Sequence, residues 1–113
     1  MANSFINKKA DLTTTDLTTL YTVPSFKTAV VKAILVSDDA NQSSTITVTL
    51  VDASGNIFSL FDSKSVSGHE TLQLLTQPLV MEEGEILKVQ TNHADRLHVI
   101  ASILEIEPRE IVT

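Results

Sequence analysis

Apolar and polar residues alternate along much of this chain with a period of two, the pattern of β-strands that bury one face. The alternation is clearest at residues 44–52, where Ile46, Val48 and Leu50 are separated by threonines. Polar segments containing Gly, Pro, Asn or Asp separate the apolar ones and predict turns. The apolar segments predict seven or eight strands, at residues 20–23, 28–36, 44–52, 57–61, 71–75, 79–81, 86–90 and 97–106.

The spacing of these strands predicts the fold class. Residues 52–56 are turn-forming and join two apolar segments, so an antiparallel hairpin is expected there. By parity, Phe58 and Phe61 of its second arm should face opposite sides. A short helical turn, capped by Asp16, is predicted only at residues 14–20. The chain is therefore expected to be all-β, an antiparallel β-sandwich of the jelly-roll type.

Inward positions of the alternating strands define a predicted core between the two sheets. Val, Ile and Leu supply it, because the chain has no Trp and only one Tyr. Branched aliphatic side chains of this kind suit pleated strands. The predicted core residues are Ile34, Val36, Ile46, Val48, Leu50, Val89, Val99 and Ile103.

The first 19 residues differ from the rest, because they are rich in Thr and their apolar residues are sparse. Such a segment is not expected to bury a face of its own. We therefore predict an extended N-terminal arm at residues 1–19, a β-sandwich domain at 20–107 and a C-terminal tail at 108–113. The arm's candidate assembly contacts are Phe5, Ile6, Leu12 and Leu17.

Length and charge narrow the classes of partner. A chain of 113 residues provides one domain. Its net charge of −6, with few and scattered basic residues, argues against nucleic acid or an anionic membrane as the partner. No cysteine is present, so disulfide and thiolate chemistry are excluded. No apolar stretch reaches the length of a membrane span, and synthesis in the cytoplasm is expected.

Candidate catalytic and metal-binding patterns are weak. The nearest approach to a metal site is His93 with Asp95, and the acidic residues at 82–85 surround a glycine in the manner of an exposed turn. No Gly-x-Ser-x-Gly elbow or phosphate-binding glycine loop occurs. We predict no catalytic residue, no cofactor and no metal, and expect a protein that binds other protein surfaces.

Three segments of the chain resemble small virion structural proteins of tailed bacteriophages, of the marine and cyanobacterial phage type. The first is LYTVP at residues 20–24 with TAVVKAILV at 28–36. The second is PLVMEEGEILKV at 78–89, and the third is HVIASILEI at 98–106. The second departs from the Gly-Asp of many such proteins by having Gly84-Glu85. The resemblance covers roughly residues 20–106.

This resemblance implies a non-enzymatic capsid decoration, or cement, protein that binds and stabilises an assembled shell. Its implied partners are the major capsid protein or neck and tail proteins, together with copies of itself, as a homo-oligomer such as a trimer. The expected location is the virion, after synthesis in the host cytoplasm. The alternatives are a neck, tail or fibre-attachment component, or a carbohydrate-binding sandwich, although few aromatic residues are available to stack on a sugar.

Overall fold

The protein is an antiparallel β-sandwich, as the alternating pattern predicted. The computed structural model describes residues 3–107, and this part of the chain contains no helix. Eight of its nine strands lie within or close to the predicted segments. The strands are β1 (Asn3–Asp11), β2 (Thr18–Thr22), β3 (Thr28–Asp38), β4 (Ser44–Val51), β5 (Ile57–Val66), β6 (Thr71–Gln73), β7 (Leu79–Met81), β8 (Ile86–Thr91) and β9 (Leu97–Ile106).

Two sheets of different width pack against each other. The five-stranded sheet has the order β1-β9-β3-β6, and β7 pairs with β3 beside β6. The four-stranded sheet has the order β2-β8-β4-β5 and contains the predicted β4–β5 hairpin. Every pairing is antiparallel, so one face of each sheet can be buried while the other meets solvent.

The core lies between the sheets where the alternation placed it. All of the predicted core residues except Leu50 are at most 1% exposed. Leu50 is only partly buried, because its cross-strand partner on the edge strand β5, Phe58, is itself half exposed. Inward side chains of both sheets therefore form a single aliphatic core, as expected for close packing of two sheets.

The extended N-terminal arm is not confirmed, because residues 3–11 form β1. This edge strand pairs with β9 along its whole length, from Asn3 opposite Ile106 to Asp11 opposite His98. The backbone of β9 supplies its hydrogen bonds, so alternate contacts such as that of Ile6 with the core are enough to hold it. The sandwich thus includes most of the predicted arm. The predicted tail, 108–113, lies outside the described residues.

The predicted helical turn at residues 14–20 is wrong. The Asp16 N–H instead donates to Thr14 Oγ1 at 3.3 Å, the local bond through which a hydroxyl competes with helix. The strand β2 then begins at Thr18. The segment therefore connects β1 to β2 as an irregular turn.

The predicted parity of Phe58 and Phe61 is also wrong, because the pairing of β5 with β4 shifts register between them. Phe58 lies opposite Leu50 and Phe61 opposite Val48, which share one face of β4. A β-bulge adds a residue to one strand and resets the alternation beyond it. Both rings are thereby on the core side of the sheet.

Candidate functional site

The outer face of the five-stranded sheet carries a continuous row of apolar side chains. Phe5 pairs with Leu104, Leu104 with Val30, and Val30 with Val80, so the row crosses β1, β9, β3 and β7. Phe5 is 79% exposed and Val80 is 60% exposed. Directly paired side chains on one face of a sheet are in contact range. These four residues, named here the apolar row, form a connected hydrophobic surface rather than scattered single side chains.

A second apolar pair and a lysine extend this surface. Ile100 and Leu35 are cross-strand partners on β9 and β3, and both are exposed. Lys32 occupies a bulge in β3, where the register with β9 shifts between Val31 and Ala33. It lines a depression of about 370 Å³ together with Phe5, Ile6, Asn7, Ser102 and Ile103.

The charge on this face is opposite to that of the whole chain. Its outward positions in the described strands carry Lys9 and Lys32, and their one acidic residue is Asp11. Asp11 Oδ1 lies 3.3 Å from His98 Nε2 at the far end of the face. In a chain of net charge −6, the strand positions of this face therefore carry more lysine than acidic residues.

The outer face of the four-stranded sheet is mostly polar by contrast, although Ile57, Val51 and Ile86 pair across one end of it. Its depression, of about 320 Å³, is lined by Thr15, Thr45, Thr47, Ser63, Gln90, Thr91 and Asn92. Several of these polar groups already have partners inside the chain. Gln90 Nε2 donates to the Thr15 carbonyl at 3.0 Å, and Thr47 Oγ1 accepts the Ser63 N–H at 3.0 Å. Groups bonded in this way offer little to a ligand.

The edges of both sheets carry features that oppose pairing with another strand. Lys8 of β1 lies on the inward side opposite Ala101, and Lys64 of β5 lies opposite Ile46. Register shifts interrupt β2 and β5, while β6 and β7 have only three residues each. Inward charges, bulges and short edge strands are the usual protections against edge-to-edge association. Faces, rather than edges, are therefore the surfaces available for specific contact.

A buried polar cluster ties the two sheets together at one end. The Tyr21 hydroxyl, on β2, donates to Glu105 Oε2, on β9, at 2.6 Å. Lys27 Nζ lies 3.3 Å from Glu105 Oε1. Burial, assisted by the Glu105 carboxylate, raises the pKa of Tyr21, and the hydrogen bond from Tyr21 holds the pKa of Glu105 below its ordinary value. The cluster is internally satisfied and acts as an inter-sheet contact.

The structure separates the four residues predicted as assembly contacts. Phe5 lies in the apolar row, whereas Ile6, its neighbour, turns toward the core. Leu12 is 2% exposed within the core, because its N–H bonds the Leu97 carbonyl and holds it between the sheets. It is therefore not a surface contact. Leu17 is half exposed in the β1–β2 connection, immediately before β2.

Sequence reasoning missed the other members of the face, Val30, Val80, Leu35, Ile100 and Leu104. A signal was present, since residues 28–36 and 97–106 are apolar at both parities instead of alternating strictly. Strands covered on both faces have that composition. The outward-facing apolar residues of these two segments therefore indicate a surface that another molecule can cover.

Comparisons with known proteins assign no role to this face. No protein-family model, curated protein or solved structure matches the chain. Within residues 3–107, no helix is long and apolar enough to cross a membrane, and no group of three His, Asp or Glu side chains is placed to hold a metal ion. The occupant of the face must be inferred from its side chains and from the sequence resemblance.

Proposed function

We propose that this chain is a non-enzymatic virion structural protein of a tailed phage, a capsid decoration protein that binds and stabilises the assembled shell. The observation that carries the proposal is the apolar row on the outer face of the five-stranded sheet. Connected exposed apolar patches on soluble proteins mark contact sites for other macromolecules. The resemblance over residues 20–106 supplies the virion context.

The strand order supports a jelly-roll assignment, which fits this class. If β6 and β7 are one interrupted strand beside β3, each sheet has four strands and the first lies next to the last in the wider sheet. The interruption is local, because the Ile34 N–H donates to the Gln73 side-chain oxygen at 2.9 Å in place of a strand carbonyl. Jelly rolls serve in viral capsids and also in lectins.

A protein partner accounts for this surface better than a sugar does. Carbohydrate sites combine an aromatic platform with free polar groups. The depression on the polar face has no aromatic residue in its lining, and its Gln90 and Thr47 groups are already bonded within the chain. The neck, tail and fibre alternatives differ from decoration only in which virion protein would cover the apolar row.

Addition of the purified protein to shells assembled without it tests the proposal. We expect binding by co-sedimentation and a higher shell melting temperature. Val80→Lys, in the apolar row, should abolish both effects, whereas Ser65→Lys, an exposed outward position of β5, should leave both intact. Failure to bind shells, or equal binding by the two variants, would overturn the proposal; binding to isolated tails alone would replace it with the tail alternative.

A further inference from the structure

An exposed aromatic residue lies in a hydrogen-bonded turn at one end of the sandwich. Phe26, in the turn between β2 and β3, is 78% exposed and has a φ of 64°, a region that bulky L-residues rarely occupy. Its N–H donates to Glu83 Oε2 at 3.1 Å, and the Lys27 N–H donates to the Pro24 carbonyl at 3.3 Å. The turn is therefore structured, and it projects a large apolar group into water.

Acidic residues belong to the turn that is hydrogen-bonded to this segment. Glu82, Glu83 and Glu85 belong to the turn between β7 and β8. The backbone of this turn is bonded to Val23, which donates to the Glu85 carbonyl at 2.9 Å and accepts from the Gly84 N–H at 3.1 Å. Residues 24–27 and 82–85 thus form one unit, named here the acidic tip. The acidic tip combines the exposed ring of Phe26 with exposed carboxylates.

The apolar face of the five-stranded sheet has the complementary composition. It offers the depression beside Phe5, with Lys32 at its margin and Lys9 further along β1. Two such faces placed against each other would bring lysines near lysines, and like charges across an interface are unfavourable. The protected edges of both sheets also disfavour association of two copies by pairing of their edge strands. Among the described residues, the acidic tip matches the face in both polarity and charge.

We propose that the acidic tip of one copy docks on the apolar face of a second copy. Phe26 enters the depression beside Phe5, and Glu82 lies near Lys32. The inference rests on the proposed function in taking this face as a protein-binding surface. It adds a second copy as the occupant of the β1 side of the face, and leaves Val80, on β7 at the opposite edge of the sheet, for the shell. In the proposed arrangement the tip of each copy lies on the face of the next copy, so the contact is heterologous and closes into a ring or extends as a filament. The predicted trimer would be a ring of three.

Sedimentation velocity on the full purified chain over a range of concentrations tests this contact. We expect concentration-dependent association that weakens as salt is raised. Glu82→Lys and Lys32→Glu should each weaken it by about tenfold or more, and the double reversal should restore it, because the pair is reformed with exchanged charges. Phe26→Asn should also weaken association while keeping the fold, since Asn tolerates positive φ.

Two control variants separate this contact from general surface effects. Lys88→Glu changes a lysine on the polar face, and Ile57→Ser removes a 70% exposed apolar side chain on the outward side of β5; each should leave association unchanged at an unaltered melting temperature. A chain that stays monomeric throughout overturns the inference, as does association indifferent to Phe26→Asn and Lys32→Glu. If the chain binds shells but stays a strict monomer, the proposed function holds and this inference fails. If the chain associates but does not bind shells, this inference holds and the proposed function fails.

Discussion

The two outer faces of the sandwich differ although the two inner faces are alike. Inside, both sheets contribute fully buried Val, Ile and Leu to one core. Outside, the four-stranded sheet presents Thr45 and Thr47, whereas the five-stranded sheet presents Phe5 and Val80. Folding alone requires the inner pattern and leaves the outer residues free to be polar. The apolar outer face is thus a part of the molecule that the fold does not explain.

The largest effect should come from the shared core. Ile103→Ala in the five-stranded sheet and Ile46→Ala in the four-stranded sheet each remove a fully buried side chain. Each should lower the free energy of unfolding by about 2–5 kcal/mol, from lost burial and the cavity that remains. Urea denaturation measures both values. Comparable losses would confirm that the sheets are equivalent inside, and a negligible loss for either would show that they are not.

An intermediate effect should follow from cutting the polar contact between the sheets. Tyr21→Phe removes the hydroxyl that donates to Glu105, so we expect a loss of about 1.5–3 kcal/mol, the range for hydrogen bonds to charged groups. Thermal unfolding at neutral pH measures it. Tyr21 is the donor from the four-stranded sheet, and an unchanged melting temperature would mean that apolar packing alone joins the sheets.

The same contact predicts how stability depends on pH. The pKa of Glu105 is lowered in the folded state, chiefly by the Tyr21 hydroxyl, so its contribution is present above the unfolded pKa of about 4.3 and is lost on acidification through the folded value. Tyr21→Phe should therefore flatten the stability profile in acid. If the stability of Tyr21→Phe falls as steeply with acidification as that of the unchanged chain, other carboxylates cause the acid sensitivity.

The smallest effect on stability should come from exchanging an apolar and a polar side chain between the two outer faces. Val80→Thr and Thr45→Val are nearly isosteric changes at surface positions, and each should shift stability by no more than about 0.5 kcal/mol. Binding of an apolar dye should fall in the first variant and rise in the second. Equal dye binding by both would indicate that the apolar row is not the dominant hydrophobic surface.

The alternating pattern determined most of the fold, because a period of two specifies both strand and buried face. The sequence prediction failed where neighbours decide the outcome. β1 was missed because an edge strand takes its hydrogen bonds from β9 and needs few apolar contacts. The orientation of Phe61 was missed because a bulge has no clear signature in the sequence. The alternation therefore predicts strands well and their partners poorly.

The candidate site was harder to predict than the strands. Phe5 was identified as a contact, but Leu104, Val30 and Val80 join it only through the registers of three strand pairs. Those registers connect residues that lie far apart in the sequence. No local pattern in a single sequence specifies them, and a surface assembled in this way becomes visible only with the sheet.

The pairing of β1 with β9 also determines when the protein can fold. Lys8 lies opposite Ala101, so β1 must wait for nearly the whole domain to be synthesised, roughly 5–20 s at ribosomal rates of about 5–20 residues per second. The strands that pair with β3, namely β6, β7 and β9, likewise come later in the sequence. Such distant pairings slow folding, because chain closure precedes any stabilising contact. The five-stranded sheet, with its apolar face, is therefore completed late in folding.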